Sequence, residues 1–228
     1  MKKKKRKPKT IDTLFSNVIQ GLMFWVGYKK ILYPYYHFSE GAITTELYTL
    51  FNSLQDGKMR VCPEFLYKNI PSVKNKKESS KKTDSQERVD ILIIDPKKSR
   101  NFEKNNSKDI EIIETDKLYL FEVKRMESTG DISKDIEKLD ECKQRNENVR
   151  AFLILINQTT LPKISKKNNF ELDEFIKNWE KRIQNFVIEK SKKYKTRIIM
   201  NKVATSAKRG ATSNSSFGVL VEILKKEK

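Results

Sequence analysis

Leu118-Tyr119-Leu120-Phe121-Glu122-Val123-Lys124 is an apolar run that ends in an acid, an apolar residue and a lysine. It reads as a β-strand, so alternation puts Glu122 and Lys124 on one face, about 7 Å apart. A charge at the end of an apolar run is costly unless it is paired or used. Upstream, Arg88-Val89-Asp90-Ile91-Leu92-Ile93-Ile94-Asp95 is a second apolar strand with a carboxylate, Asp90, inside it. Two carboxylates and a lysine on adjacent strands suggest a divalent-metal site suited to phosphodiester hydrolysis. Mg2+ takes hard oxygen ligands, so Asp90, Glu122 and the main-chain carbonyl of Val123 are the candidate donors, and Mn2+ is the expected substitute. Lys124 would orient or help deprotonate the attacking water and offset charge on the phosphoryl oxygens. The plainer reading of Glu122 and Lys124 is a salt bridge at a strand end. For Asp90 it is a solvated strand acid.

Before these strands the sequence predicts two helices. In the first, from about Ile11 to Ile31, Leu14, Val18, Ile19, Leu22, Met23 and Val26 recur at helical spacing. Tyr33-Pro34-Tyr35-Tyr36 breaks it. The second runs from Ser39 to Leu54, with Ile43, Leu47, Leu50, Phe51 and Leu54 as its apolar stripe, Glu46 within that stripe, and Gly57 as the stop. A strand from Met59 to Tyr67 follows, containing Glu64, a weaker candidate acid. Pro63 assigns this strand to a sheet edge or a bulge. Segments 69–87 and 96–109 read as polar, basic loops. Ile110–Glu114 and Lys117–Lys124 read as a hairpin turned at Thr115-Asp116. A helix capped by Asp131 then runs to about Asn146, followed by a fully apolar strand from Ala151 to Ile156. An amphipathic helix spans Glu171–Tyr194. Strands near Arg197–Val203 and Phe217–Leu224 flank a small, polar, basic loop. The order αα-β-β-β-β-α-β-α-β-β predicts an α/β fold with a mixed sheet.

The 228 residues carry a formal charge of +18, which attracts polyanions; nucleic acid is the leading partner and an anionic membrane surface the second. Arg125, Lys202, Lys208 and Arg209 are candidate phosphate contacts. The aromatics around Tyr33–Phe38, whose plainer reading is a core or structural loop, and the Ala204–Phe217 stretch are candidates for reading bases. One histidine, His37, argues against a Ser/His/Asp triad or a histidine metal cluster. Two isolated cysteines, Cys62 and Cys142, give neither a disulfide framework nor metal-ligand spacing, as expected in a reducing, bacterial cytoplasm. The basic head Met1–Thr10 is expected to be disordered, ahead of a single domain over 11–228. The apolar stretch after it is too interrupted and short for a membrane span. No small-molecule cofactor is expected.

The helix with Glu46, the strand with Asp90, the Glu122-Val123-Lys124 strand and the helix after it resemble the PD-(D/E)XK nuclease superfamily, which includes many restriction endonucleases. The resemblance covers about Ser39 to Asn157. It implies a restriction-endonuclease-like αβββαβ core, here followed by a C-terminal helix and two strands. By position Asp90 matches the motif's aspartate, Glu122 its second acid and Lys124 its lysine. Glu46 matches a helix acid that some members use to hold metal, directly or through water. Val89 stands where the motif has proline, and Asp90 and Glu122 are further apart than is usual. The resemblance implies Mg2+-dependent cleavage of nucleic acid; the leading expectation is an endonuclease on double-stranded DNA in a restriction or defence role, and by analogy a homodimer on a two-fold site. Two alternatives stay open: a non-catalytic nucleic-acid-binding module of the same fold, and a nuclease acting on RNA or repair intermediates.

Overall fold

The computed structural model describes residues 11–33, 37–55, 57–71, 87–97, 112–113, 115–125, 132–157, 181, 185, 195–206 and 214–224. The basic head, most of the three polar loops, the cap at Asp131, Lys208 and Arg209 lie outside the described residues. So does the expected 171–194 helix, apart from Lys181 and Asn185, which are helical.

Six strands form one mixed sheet: β1 (Arg60–Leu66), β2 (Arg88–Asp95), β3 (Lys117–Arg125), β4 (Val149–Asn157), β5 (Lys195–Ser206) and β6 (Asn214–Leu224), in the order β1-β2-β3-β4-β6-β5. β1, β2 and β3 pair antiparallel, β3 and β4 pair parallel, and β6 returns antiparallel to both β4 and β5. The parallel step needs a crossover, and α3 (Ile132–Arg145) supplies it. α1 (Ile11–Leu32) and α2 (Glu40–Leu54) cover one face, and α3 covers the other.

The apolar spacing of the sequence explains these layers. Leu14, Phe15, Val18, Ile19, Leu22, Met23 and Val26 of α1 are all buried. Phe15 meets Phe51, Tyr119, Phe121 and Phe152 edge-on, with ring centroids 5.1–6.1 Å apart. α1 lies so close to β6 that a Cβ on Gly218 would come within 2.8 Å of the Met23 side chain. On the other face Ile132, Ile136 and Leu139 of α3 pack on Leu120, Leu153 and Val221. β4 is covered on both faces, and Ala151 through Ile156 are buried without exception, as their unbroken apolar run requires.

Three local expectations change. The hairpin strand at Ile110–Glu114 does not form at Ile112 and Ile113. Both edges of β3 are already taken, by β2 and by β4, which leaves no ladder for another strand. The residues before β3 make a turn instead: the buried Asp116 accepts the Ile113 N–H at 3.0 Å and returns its own N–H to the Ile113 carbonyl at 2.9 Å. Second, Gly57, in the left-handed region at φ +82°, sits beyond the end of α2, and the helix terminates at Gln55, whose N–H donates to the Phe51 carbonyl. Third, β1 ends at Leu66, and Tyr67 opens a 3-10 turn over Tyr67–Asn69. β1 is an edge strand, which accommodates Pro63.

Candidate active site

β2 and β3 stay paired from Asp95↔Lys117 to Ile91↔Phe121. At the next step Asp90 and Glu122 come level, and the ladder gives way. The Asp90 carboxylate there accepts the Val123 N–H at 2.7 Å, in place of a main-chain partner. β1 is distorted at the same level. Its pairs with β2 run through Pro63↔Ile91 and Phe65↔Val89, but Glu64, between them, has φ +52°. Outside glycine and asparagine that conformation is uncommon and costs roughly 1 kcal/mol or more. The sheet therefore forks at Asp90, with Glu122 on the neighbouring strand.

The electrostatics of the fork are adverse to acids. Burial pushes the Glu122 carboxyl well above the usual carboxylate range, and the Asp90 charge beside it pushes the same way. Burial also raises Asp90, against the opposing pull of the Val123 N–H, a hydrogen bond with Glu122 and the Lys124 charge. Neighbouring acids shielded from water favour the protonated form, and a cation between them would oppose that. Tyr67 donates its hydroxyl to Glu122 Oε1 at 2.6 Å, with both side chains buried.

Lys124 supplies the positive charge. Its Nζ lies 3.4 Å from Glu40 Oε2 and 3.4 Å from Asp135 Oδ2. Burial works to lower its pKa, but Asp135, Glu40, Glu122 and Asp90 outweigh burial and raise it. Lys124 thus stays an ammonium; it can hold a water or a phosphoryl oxygen but is a poor base. Asp135 continues the chain of charges to Lys138 at 3.9 Å, and Lys138 pairs with Glu87 at 2.9 Å.

Glu40, in the first turn of α2, also accepts the Arg125 N–H at 3.3 Å, so it ties the helix start to the end of β3. Ser39 sets that start by accepting the Ala42 N–H. Glu46 is six residues further along, about 9 Å by helical rise. Among the described residues no hydrogen bond or ion pair joins it to Asp90, Glu122 or Lys124. The Arg125 guanidinium donates to the Phe38 carbonyl at 3.1 Å, which makes it a tie to the segment before α2. The Val123 side chain is buried in the α1/α2-side core, so only its main chain faces the fork. Glu64 is exposed, one strand away from Asp90, and its charge helps raise Asp90.

The sequence motif brings together Asp90, Glu122 and Lys124. It omits Glu40, Tyr67 and Asp135. The Ser39 cap is the one signal in the sequence that marks Glu40 as a first-turn residue.

The far side of the sheet carries Lys202. It pairs with Gly218, which is level with Ile156 and, through β3–β4, with Arg125. β4 ends at Asn157↔Phe217, while β5 and β6 continue through Ala204↔Ser216, Thr205↔Ser215 and Ser206↔Asn214. This two-stranded ribbon projects beyond the sheet at the end where Lys124 lies.

Among the described residues no group of three or more His, Cys, Asp and Glu side chains is arranged to hold a metal ion. Among them, too, no helix is long and apolar enough to cross a membrane. Comparison with family models, with curated proteins and with solved structures finds no match to this chain.

Proposed function

We propose that this chain is a Mg2+-dependent endonuclease of the PD-(D/E)XK type that hydrolyses DNA phosphodiester bonds in a restriction or defence role. The observation that carries the reading is the fork itself: Asp90 and Glu122 side by side, poorly compensated, with the Lys124 ammonium on the same strand end. The helix–three strands–helix–strand order, with β3 and β4 parallel, is the arrangement expected of that superfamily and supports it.

The donor set fits a hard divalent cation. Asp90 and Glu122 would hold it, with the Val123 carbonyl, waters and the substrate phosphate completing the shell. Bound there, the ion would polarise the scissile phosphate and acidify a ligated water. Lys124 orients the attacking water and balances negative charge on the phosphoryl oxygens. Glu40 and Asp135 keep that lysine charged and aimed. In this reading Glu40, and not Glu46, is the helix acid of the site, and it acts through Lys124. The composition of the last two strands and their connection supports nucleic-acid binding, since residues 195–221 contain no acid and five Lys and Arg residues, of which Arg197 is already paired with Glu222. A homodimer would present two such forks to the two strands of a duplex.

The test is cleavage of plasmid, single-stranded DNA and RNA with Mg2+ or with EDTA. Mg2+-dependent DNA cleavage is expected, falling by about a thousandfold or more in Asp90→Asn and Lys124→Met while DNA binding persists. Full activity in Asp90→Asn, or in EDTA, would refute the metal-site reading. Binding without cleavage by the wild type would favour the non-catalytic module, and selective RNA cleavage would move the substrate class.

A further inference from the structure

Tyr67 belongs to no part of the sequence motif, yet it touches the most perturbed acid of the fork. Its ring is buried in the α3-side core, and its hydroxyl donates to Glu122 Oε1 at 2.6 Å. Its main-chain N–H donates to the Glu87 carbonyl at 3.1 Å, and the Glu87 side chain pairs with Lys138. Lys138 reaches Asp135, and Asp135 reaches Lys124. Tyr67 is therefore where the support of Glu122 joins the support of Lys124. The 3-10 turn over Tyr67–Asn69 fixes the tyrosine backbone, with the Ile70 N–H closing on the Tyr67 carbonyl.

We infer that Tyr67 is a positioning residue: its hydroxyl engages Oε1 of Glu122 and leaves Oε2 as the oxygen offered to a divalent cation. This rests on the nuclease reading of the fork. The chemical reason is the one that applies to partners behind metal ligands in general. A carboxylate with one oxygen held by a fixed donor loses rotational freedom and presents the other in a single direction, and loss of such a partner weakens metal binding about 10–100-fold. A tyrosine suits this place because a rigid ring set in a packed core carries its hydroxyl with little freedom.

Tyr67→Phe removes the hydroxyl and keeps the ring. Mn2+ binding to the full chain by isothermal titration calorimetry should weaken about tenfold or more. The Mg2+ concentration giving half-maximal DNA cleavage should rise by the same factor, with the rate at saturating Mg2+ largely kept. Cys142→Ala is the packing control, since Cys142 lines the same small cavity as Tyr67. It should lower the Tm and leave Mn2+ affinity unchanged. Wild-type affinity in Tyr67→Phe, or equal weakening in both variants, would overturn the positioning role and leave the nuclease reading intact. A wild-type chain that binds no Mn2+ and cleaves nothing would overturn both.

Discussion

Two glutamates are buried in the same sheet with opposite surroundings. Glu222, 3% exposed on β6, receives Arg150 Nε at 2.9 Å on one oxygen and Arg197 Nε and Nη2 at 2.9 and 2.7 Å on the other. Arg150 also lies over the Phe152 ring, 5.1 Å from its centroid. Burial alone would raise Glu222; the two guanidiniums outweigh it and hold the carboxyl below its ordinary range. Glu122, 4% exposed on β3, has a tyrosine hydroxyl and a second acid for neighbours, with its lysine drawn towards Glu40 and Asp135. Both side chains have almost no exposure to water, and although Glu122 is set deeper among protein atoms, exposure alone does not tell a site from a structural pair. What distinguishes them is whether the fold itself neutralises the charge. At Glu222 it does. At Glu122 it does not: burial and the Asp90 charge outweigh the pull of Tyr67 and Lys124.

The same change should therefore act in opposite directions at the two positions. Glu222→Gln removes the carboxylate shared by two arginines and is expected to destabilise the protein by about 2 kcal/mol at neutral pH, read by chemical denaturation. Since its folded pKa is lowered, Glu222 contributes stability above its unfolded value of 4.5. That stability disappears as pH falls through the lower folded value, so the wild-type and Glu222→Gln curves should converge in acid. Equal stability of the two at pH 7 would erase the contrast.

Glu122→Gln should stabilise the metal-free protein by roughly 1 kcal/mol at pH 8. The folded pKa of Glu122 is raised, so its favourable contribution is complete below its unfolded value of 4.5 and is lost as pH rises. An amide at this position escapes that loss. Saturating Mg2+ should raise the wild-type Tm, by the equivalent of about 2.7 kcal/mol at a hundredfold excess over Kd, and should leave Glu122→Gln unmoved. A variant less stable than wild type at pH 8, in the absence of metal, would make Glu122 an ordinary structural acid. The smallest effect belongs to a half-buried pair that bonds to neither glutamate. Arg145 and Glu141, 3.2 Å apart on one face of α3, should give no more than about 0.5 kcal/mol on Glu141→Ala.

How much of this was legible in the sequence depends on how local each cause is. Strand and helix identities follow from apolar periodicity, and the mixed α/β sheet was recovered on that basis. Glu122 and Lys124 were legible because alternation along one strand is a local rule. Glu40 was not separable from Glu46, because both lie on α2, and docking of the helix start at the end of β3 decides which one arrives. Tyr67 reaches Glu122 from two strands away, across β2, and no local pattern encodes that. The Arg150–Glu222–Arg197 cluster joins three strands. The expected hairpin strand, which does not form at Ile112 and Ile113, came from turn chemistry at Thr115-Asp116, overruled by the occupied edges of β3.

That occupancy has a consequence for how such proteins can vary. Residues between Asp95 and Lys117 join no strand of the ladder where described, and the register of β2 on β3 is set outside them. Doubling the length of such a connection costs only about 0.6 kcal/mol of closure entropy. Asp90 and Glu122 can thus drift apart in residue number while remaining neighbours in space. A search that fixes the interval between the two acids would pass over this chain, and a reporter peptide spliced between them should leave the fork assembled.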